Sequence, residues 1–197
     1  IQQTTDGGYI VAGKVGANAL VLKLDMDGYI QWQKTYGFET FHSVQQTIDG
    51  GYIVAGTQNS RDGVMKLHSN GDIQWQKTYY NASGWLSCIR LTTDGGYIVT
   101  GRIDNKAPVL KLDTDGNLQW GKLYGNGYEV YRAAHSILQT SDGGYIVTGE
   151  IDSNSGGAFA MKLDRNGEII WHRSYGRMGD VILSAQLDID GGFIFTG

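Results

Sequence analysis

The sequence predicts an all-β fold built from four-stranded antiparallel blades, a β-propeller, and three observations predict it. The phrase TTDGGYIVAG at residues 4–13 returns as TIDGGYIVAG at 47–56, TTDGGYIVTG at 92–101, TSDGGYIVTG at 140–149 and DIDGGFIFTG at 188–197. The copies of its aspartate, Asp6, Asp49, Asp94, Asp142 and Asp190, lie 43, 45, 48 and 48 residues apart, and a second marker, the tryptophan of IQWQKTY, recurs at Trp32, Trp75, Trp120 and Trp171 with spacings of 43, 45 and 51. Thirty glycines stand against a single proline, Pro108, beside 12 Tyr and five Trp, which suits many short strands joined by tight turns. A period of this length with four strands in it is that of a propeller blade.

Each element of the period has its own signal. In the second copy, SVQQT is an extended segment that ends at the turn IDGG. YIVAG follows, rich in β-branched and aromatic residues, then the variable loop TQNSRD, the strand GVMKLH, the turn SNGD and the strand IQWQKTY. The near-continuous apolar runs suit sheets covered on both faces. The chain therefore reads as one array, 1–197, of repeats near 1–43, 44–88, 89–136 and 137–184 with part of a fifth at 185–197. IQQT at the start matches the middle of later copies, so the expectation is a piece of a longer propeller.

Composition limits the function classes. A balance of 41 % hydrophobic and 18 % charged residues is that of a folded, non-membrane-inserted chain, and no apolar run approaches the roughly 20 residues of a membrane helix. The net charge of −4 comes without a basic stripe, which argues against nucleic acid. One cysteine, Cys88, excludes an internal disulfide and any CxxC motif; it aligns with Ser43, Ser136 and Ser184 and reads as a small structural side chain.

The order of strand, DG turn, YIVAG, VLKLD, DG turn and IQW resembles the tryptophan-docking blade of quinoprotein-type, PQQ-like propellers. The matching residues are Asp25, Gly28 and Trp32; Asp113, Gly116 and Trp120; and Asp164, Gly167 and Trp171, while the second copy has His68, Gly71 and Trp75. The phrase DGGYIVAG is also similar to uncharacterised repeat segments of secreted and surface proteins of bacteria and archaea. The resemblance implies that the SVQQT strands lie innermost and the tryptophan strands outermost, with Trp32, Trp75, Trp120 and Trp171 as structural docking residues. It also implies an extracellular or cell-surface setting.

The other candidates divide into structural and functional. The DMDG, SNGD, DTDG and DRNG turns space carboxylates as calcium loops do, but they are too short to supply six or more oxygens, and hairpin turns explain the same letters. No metal site and no cofactor is expected. A lysine recurs at Lys23, Lys66, Lys111 and Lys162, and the adjacent Asp25, Asp113 and Asp164 are its expected ion-pair partners. Asn81-Ala82-Ser83 fits a glycosylation sequon, a surface signal. No Ser-His-Asp order, phosphate loop or zinc spacing is present, and His42 and His135 belong to different copies.

Function is expected at the end of the blades opposite the DGG turns, where the connections differ from copy to copy: KVGANA, TQNSRD, RIDNKA and EIDSNSGGA within repeats, and GFETFH, YNASGWL, GNGYEVYRAAH and GRMGDV between them. These loops gather Phe38, Glu39, Phe41, Trp85, Tyr128, Tyr131 and Arg132, with Arg61 and Asp152 nearby, as candidate ligand-binding residues. Trp85 stands where the other copies have Thr40, Ala133 and Val181, so packing symmetry does not require it. The expected function is a non-catalytic binding or scaffold module for protein or glycan, with self-association through open blade edges. The alternatives are a quinoprotein-like oxidoreductase, which the resemblance suggests, and a purely structural array.

Overall fold

The computed structural model describes residues 1–125, 131–151 and 157–197, all of them strand, turn or loop. The strands are β1 (Gln2–Gln3), β2 (Tyr9–Val15), β3 (Asn18–Leu24), β4 (Ile30–Tyr36), β5 (Thr40–Gln46), β6 (Tyr52–Gln58), β7 (Arg61–Leu67), β8 (Ile73–Lys77), β9 (Gly84–Leu91), β10 (Tyr97–Ile103), β11 (Ala107–Leu112), β12 (Leu118–Tyr124), β13 (Tyr131–Gln139), β14 (Tyr145–Ile151), β15 (Gly157–Leu163), β16 (Ile169–Tyr175), β17 (Ser184–Leu187) and β18 (Phe193–Thr196). They form four meanders of four strands, in the orders β1-β2-β3-β4, β5-β6-β7-β8, β9-β10-β11-β12 and β13-β14-β15-β16, and a two-stranded fifth sheet, β17-β18. These are four blades and the start of a fifth, as the two sequence periods predict. The residues group into two compact units, Ile1–Leu91 and Thr92–Gly197.

Register repeats with the sequence. The isoleucine of YIV faces the recurrent lysine in every full blade: Ile10 pairs with Lys23, Ile53 with Lys66, Ile98 with Lys111 and Ile146 with Lys162. The lysine then faces the tryptophan, and a β-bulge follows at once, because Lys23 opposes Trp32 while Leu24 opposes Ile30, and so on through the blades. The residue before each tryptophan is the extra one. The four isoleucines are fully buried, as are Val54, Val99 and Val147 beside them, which explains why these strands are apolar at successive positions rather than alternating ones.

The DGG turn shows why it is spelled with two glycines. The first, Gly7, Gly50, Gly95 or Gly143, has φ between +78° and +83°, a conformation that costs glycine nothing. The second answers a different demand: at Gly96 a Cβ would lie 2.7 Å from Nζ of Lys111, and closer still to the Leu112 carbonyl oxygen, with matching clashes at Gly8, Gly51 and Gly144.

That close approach corrects the expected ion pairs. The lysines do not pair with Asp25, Asp113 and Asp164. Lys23, Lys66, Lys111 and Lys162 reach back to Asp6, Asp49, Asp94 and Asp142 of the DGG turns, each at 2.8 Å, and each ammonium also donates to the carbonyl of the following leucine. The other oxygen of each aspartate accepts the threonine hydroxyl two residues before it and the amide of the second glycine. Asp25, Asp113 and Asp164 instead accept two amides of their own turns, from Asp27 and Tyr29, Asp115 and Asn117, and Asn166 and Glu168. Those turns are stitched hairpins with Gly28, Gly71, Gly116 and Gly167 at positive φ.

Within each unit the tryptophan joins one blade to the next. Trp32 meets Tyr52 edge-on at 5.8 Å, and Trp120 meets Tyr145 at 5.9 Å. The same indoles lie so close over Gly71 and Gly167 that a Cβ there would come within 2.9 Å of the ring. Two polar contacts flank each indole. Lys34 pairs with Asp72 at 2.7 Å and Tyr36 donates its hydroxyl to the Gly71 carbonyl; Lys122 pairs with Glu168 and Tyr124 donates to the Gly167 carbonyl. Trp32, Trp75, Trp120 and Trp171 are all half-buried.

The glutamines of QQT perform a second cross-blade function. Gln2 accepts the Gln46 amide, Gln46 accepts the Thr5 amide, Gln45 accepts the Leu91 amide and Gln139 accepts the Thr93 amide, each within 2.8 Å. Ser43 and Ser136 accept the Ile89 and Ala185 amides in the same way, which accounts for the small side chain at that position.

Candidate functional site

The turns just described, DGG and DxDG, lie at one end of each meander, so the β2–β3-type loops and the linkers between blades share the other end. In the first unit three of these segments converge. Asn59 and Ser60 take positive φ of 51° and 59° in the two-residue turn between β6 and β7. The first linker grips this turn, since the Glu39 carboxylate accepts the Ser60 amide at 2.9 Å and the Glu39 amide donates to Thr57. The second linker arrives from the other side, with the Gly84 amide donating to the Ser60 carbonyl at 3.0 Å. Trp85 follows immediately, half-buried at the start of β9, and Arg61 is exposed at the start of β7. Glu39, Ser60, Arg61 and Trp85 therefore stand on one loop cluster, positioned by backbone hydrogen bonds.

Beneath this cluster is a residue that the sequence reading passed over. Asp62 is fully buried and accepts the amides of Tyr79 at 2.8 Å and Tyr80 at 3.0 Å. Burial pushes its carboxyl above the usual range, and the two amide hydrogen bonds pull the other way. It occupies the position of Ala19, Ala107 and Ala158, and its blade is the one whose last strand stops early, at Lys77. The carboxylate takes over where the β-ladder ends and ties down the linker that leads to Trp85. Replacing Asp62 by Ala is expected to lower the unfolding free energy by about 2 kcal/mol, because two amides lose a charged acceptor. Asp62→Asn should lose less, and urea unfolding of the two variants checks the order.

Three candidate residues are packing residues rather than surface ones, and the expectation of an exposed aromatic patch is corrected accordingly. Phe38 and Phe41 are 1 % and 2 % exposed and stack on each other at 4.8 Å, with Tyr36 5.8 Å from Phe41. Phe38 lies where a side chain on Gly63 would sit, its ring occupying the space that a Cβ there would need. In the fourth blade the position of Gly63 holds Phe159, which fills the space from within the sheet and packs 4.7 Å from Tyr131, itself buried. The linker aromatics and the third-strand residue thus share one packing volume. Arg132 is exposed and lies 3.9 Å from the Glu150 carboxylate. Tyr128 and Asp152 fall outside the described residues.

The two histidines of the first strands have similar local settings. His42 sits at the bulge between Phe41 and Ser43 with Nε2 3.5 Å from the Thr57 hydroxyl, and His135 at the bulge between Ala134 and Ser136. Burial lowers the pKa of both, with Glu150 opposing the shift at His135. Each is a neutral imidazole near pH 7, fit to accept or donate one hydrogen bond. Among the described residues no three His, Cys, Asp or Glu side chains group as a metal site would require. The second unit holds a cavity of about 410 Å³, lined by Ala158, Tyr175, Asp180, Ile182, Phe195 and Thr196 among others.

Solved structures with the same arrangement of blades are β-propellers. A protein of unknown function from Bacteroides caccae superposes with a TM-score of 0.67 at 18 % identity, over 93 % of this chain and 62 % of that one. The Dos1 propeller gives 0.64 at 16 % identity, over 88 % and 47 %, and a catalytically inactive virginiamycin B lyase from Staphylococcus aureus, solved with quinupristin, gives 0.68 at 13 %, over 99 % and 65 %. The fold is a β-propeller fold. The chain spans about half to two-thirds of the length of these neighbours, and at such identities the likeness concerns architecture alone. No protein-family model matches the sequence, and no curated protein matches it either.

Proposed function

We propose that this chain is a non-catalytic binding module that holds a glycan or an extended protein segment on its varied loops, as part of a secreted or cell-surface protein. The observation that carries this reading is the contrast between the two ends of the blades. At the turn end, the same lysine, aspartate, threonine and glycine make the same bonds in four copies, so that end is committed to stability. At the loop end, where the connecting sequences differ from copy to copy, Glu39 and Gly84 of the first unit grip the Ser60 turn, and the cluster presents Trp85 and Arg61, an aromatic and a fork of donors, on a fixed base. The likeness of DGGYIVAG to surface-protein repeats supports the extracellular setting.

The test is a glycan array and a pull-down from cell-surface protein, with the wild-type chain beside a Trp85→Ala, Arg61→Ala variant. The variant is expected to remain folded, as its melting curve will check, and to lose at least tenfold in affinity for any ligand found. Equal binding by both proteins would remove the loop cluster from consideration.

A further inference from the structure

The linker that leads to Trp85 is longer than the one before it. β8 ends at Lys77 and β9 begins at Gly84, so residues 78–83 make a crossing for which the first linker uses only 37–39. Both ends of the longer linker are fastened. Tyr79 and Tyr80 donate their amides to the buried Asp62 carboxylate, and Gly84 donates its amide to the Ser60 carbonyl. Between these anchors lie Asn81, Ala82 and Ser83, the single Asn-x-Ser/Thr triplet of the chain. Asn81 and Ser83 are exposed and Ala82 is half-buried. Among the described residues nothing hydrogen-bonds to any of the three, by backbone or by side chain. The asparagines of the hairpin turns behave differently: Asn70 donates its side-chain amide to Asp72, and Asn117 donates its own to Asp113.

We propose that Asn81 is an N-glycosylation acceptor, modified by a transferase that draws on a lipid-linked oligosaccharide. A sequence triplet alone marks a candidate; what the fold adds is presentation. A transferase must hold the triplet in its own geometry, and a segment with no hydrogen bonds to break can be reshaped at low cost while the strands on either side stay paired. The Asp62 and Ser60 anchors confine that reshaping to residues 81–83. In the step itself Nδ2 of Asn81 forms a bond to C1 of the sugar as the C1–O bond to the lipid phosphate breaks. The phosphate leaves with the electron pair, and one Nδ2 proton passes to a base of the transferase. The Ser83 hydroxyl supplies the recognition two residues on, and the position between excludes proline. The inference rests on the secreted or cell-surface setting proposed above and on nothing in the ligand reading.

The experiment uses the whole purified chain, an oligosaccharyltransferase of Asn-x-Ser/Thr specificity and its lipid-linked oligosaccharide, with a synthetic peptide copying residues 77–86 as the unfolded acceptor. Supplying the enzyme makes the outcome independent of where the chain resides. The glycan array is read on chain without glycan, so each reading can fail alone. Mass spectra of the intact chain and of its fragments are expected to show one glycan on the folded chain, at Asn81, added at a rate within about tenfold of the peptide's. Asn81→Gln and Ala82→Pro chains should gain none, and a Ser83→Thr chain should still be modified. The Asn81→Gln chain should keep the wild-type melting curve, since that side chain is exposed and makes no hydrogen bond. A folded chain left unmodified while the peptide is glycosylated, a peptide that is itself refused, or a glycan attached anywhere but Asn81 would overturn the proposal.

Discussion

Replacing Phe41 by alanine is expected to lower the unfolding free energy by about 3 to 5 kcal/mol, the loss typical of a large side chain removed from a closed core. Phe41 is 2 % exposed, lies between Phe38 and Tyr36, and belongs to the cluster that contains Val44, Val54 and Met65. The cavity left behind has little means of collapsing, because Phe38 is already pressed against Gly63. Glu39→Ala, two residues away, removes one exposed acceptor from the Ser60 amide and should cost about 1 kcal/mol. Urea unfolding followed by tryptophan fluorescence checks both. Comparable losses from the two substitutions would mean that Phe41 is a surface residue after all. Gly63→Ala should repeat most of the Phe41 effect, since a methyl group there competes for the space of the Phe38 ring.

Replacing Asp94 by alanine is the second large effect, expected at about 3 kcal/mol. The change leaves the Lys111 ammonium buried without its carboxylate, and a charge stranded in this way is among the costlier defects a fold can carry. Asp113→Ala should cost about 1 kcal/mol, because its carboxylate accepts amides of its own exposed turn and does not hold the buried lysine. The pair of variants distinguishes the observed lysine partner from the adjacent one. The same contacts set the acid limit. Burial raises the carboxyls of Asp49 and Asp94, yet the lysine ammonium, the threonine hydroxyl and the glycine amide outweigh it and hold both at about 2; Asp6 and Asp142 are lowered as well, chiefly by their lysines. The folded-state values lie below the unfolded value near 4, so the stabilisation is complete above that pH and is lost as pH falls from roughly 4 through 2. Urea midpoints measured across this window should decline steeply for wild type, and the Asp94→Asn chain should decline less.

The sequence by itself determined the repeat, the number of strands per blade, the position of the DGG and DxDG turns and the phase of the docking tryptophans. These follow from local chemistry written many times over: glycine at positive φ, β-branched runs of strand length, and two markers with concordant spacing. The pattern Thr-x-Asp-Gly-Gly also contained the lysine's true partner, but not legibly. Lys23 has Asp25 two residues away on the same face of an extended chain, and Asp6 lies 17 residues back. Only the meander brings Asp6 within 2.8 Å, while the hairpin turn uses Asp25 for its own amides.

The linkers were less legible because they have no period. Whether an aromatic in a linker faces solvent or core depends on what the next blade leaves open, and that is a property of volume in three dimensions. Phe38 is buried because Gly63 makes room for it, and Phe159 occupies the equivalent space in the fourth blade. The trade was visible in principle, since Leu20, Gly63, Pro108 and Phe159 share one repeat position and the glycine is the odd member. Asp62 was visible in the same sense, a carboxylate where the other copies have alanine. What the tertiary structure decided was the use of these departures: close packing assigns each space to one side chain, and a buried carboxylate persists only where donors such as the Tyr79 and Tyr80 amides converge on it.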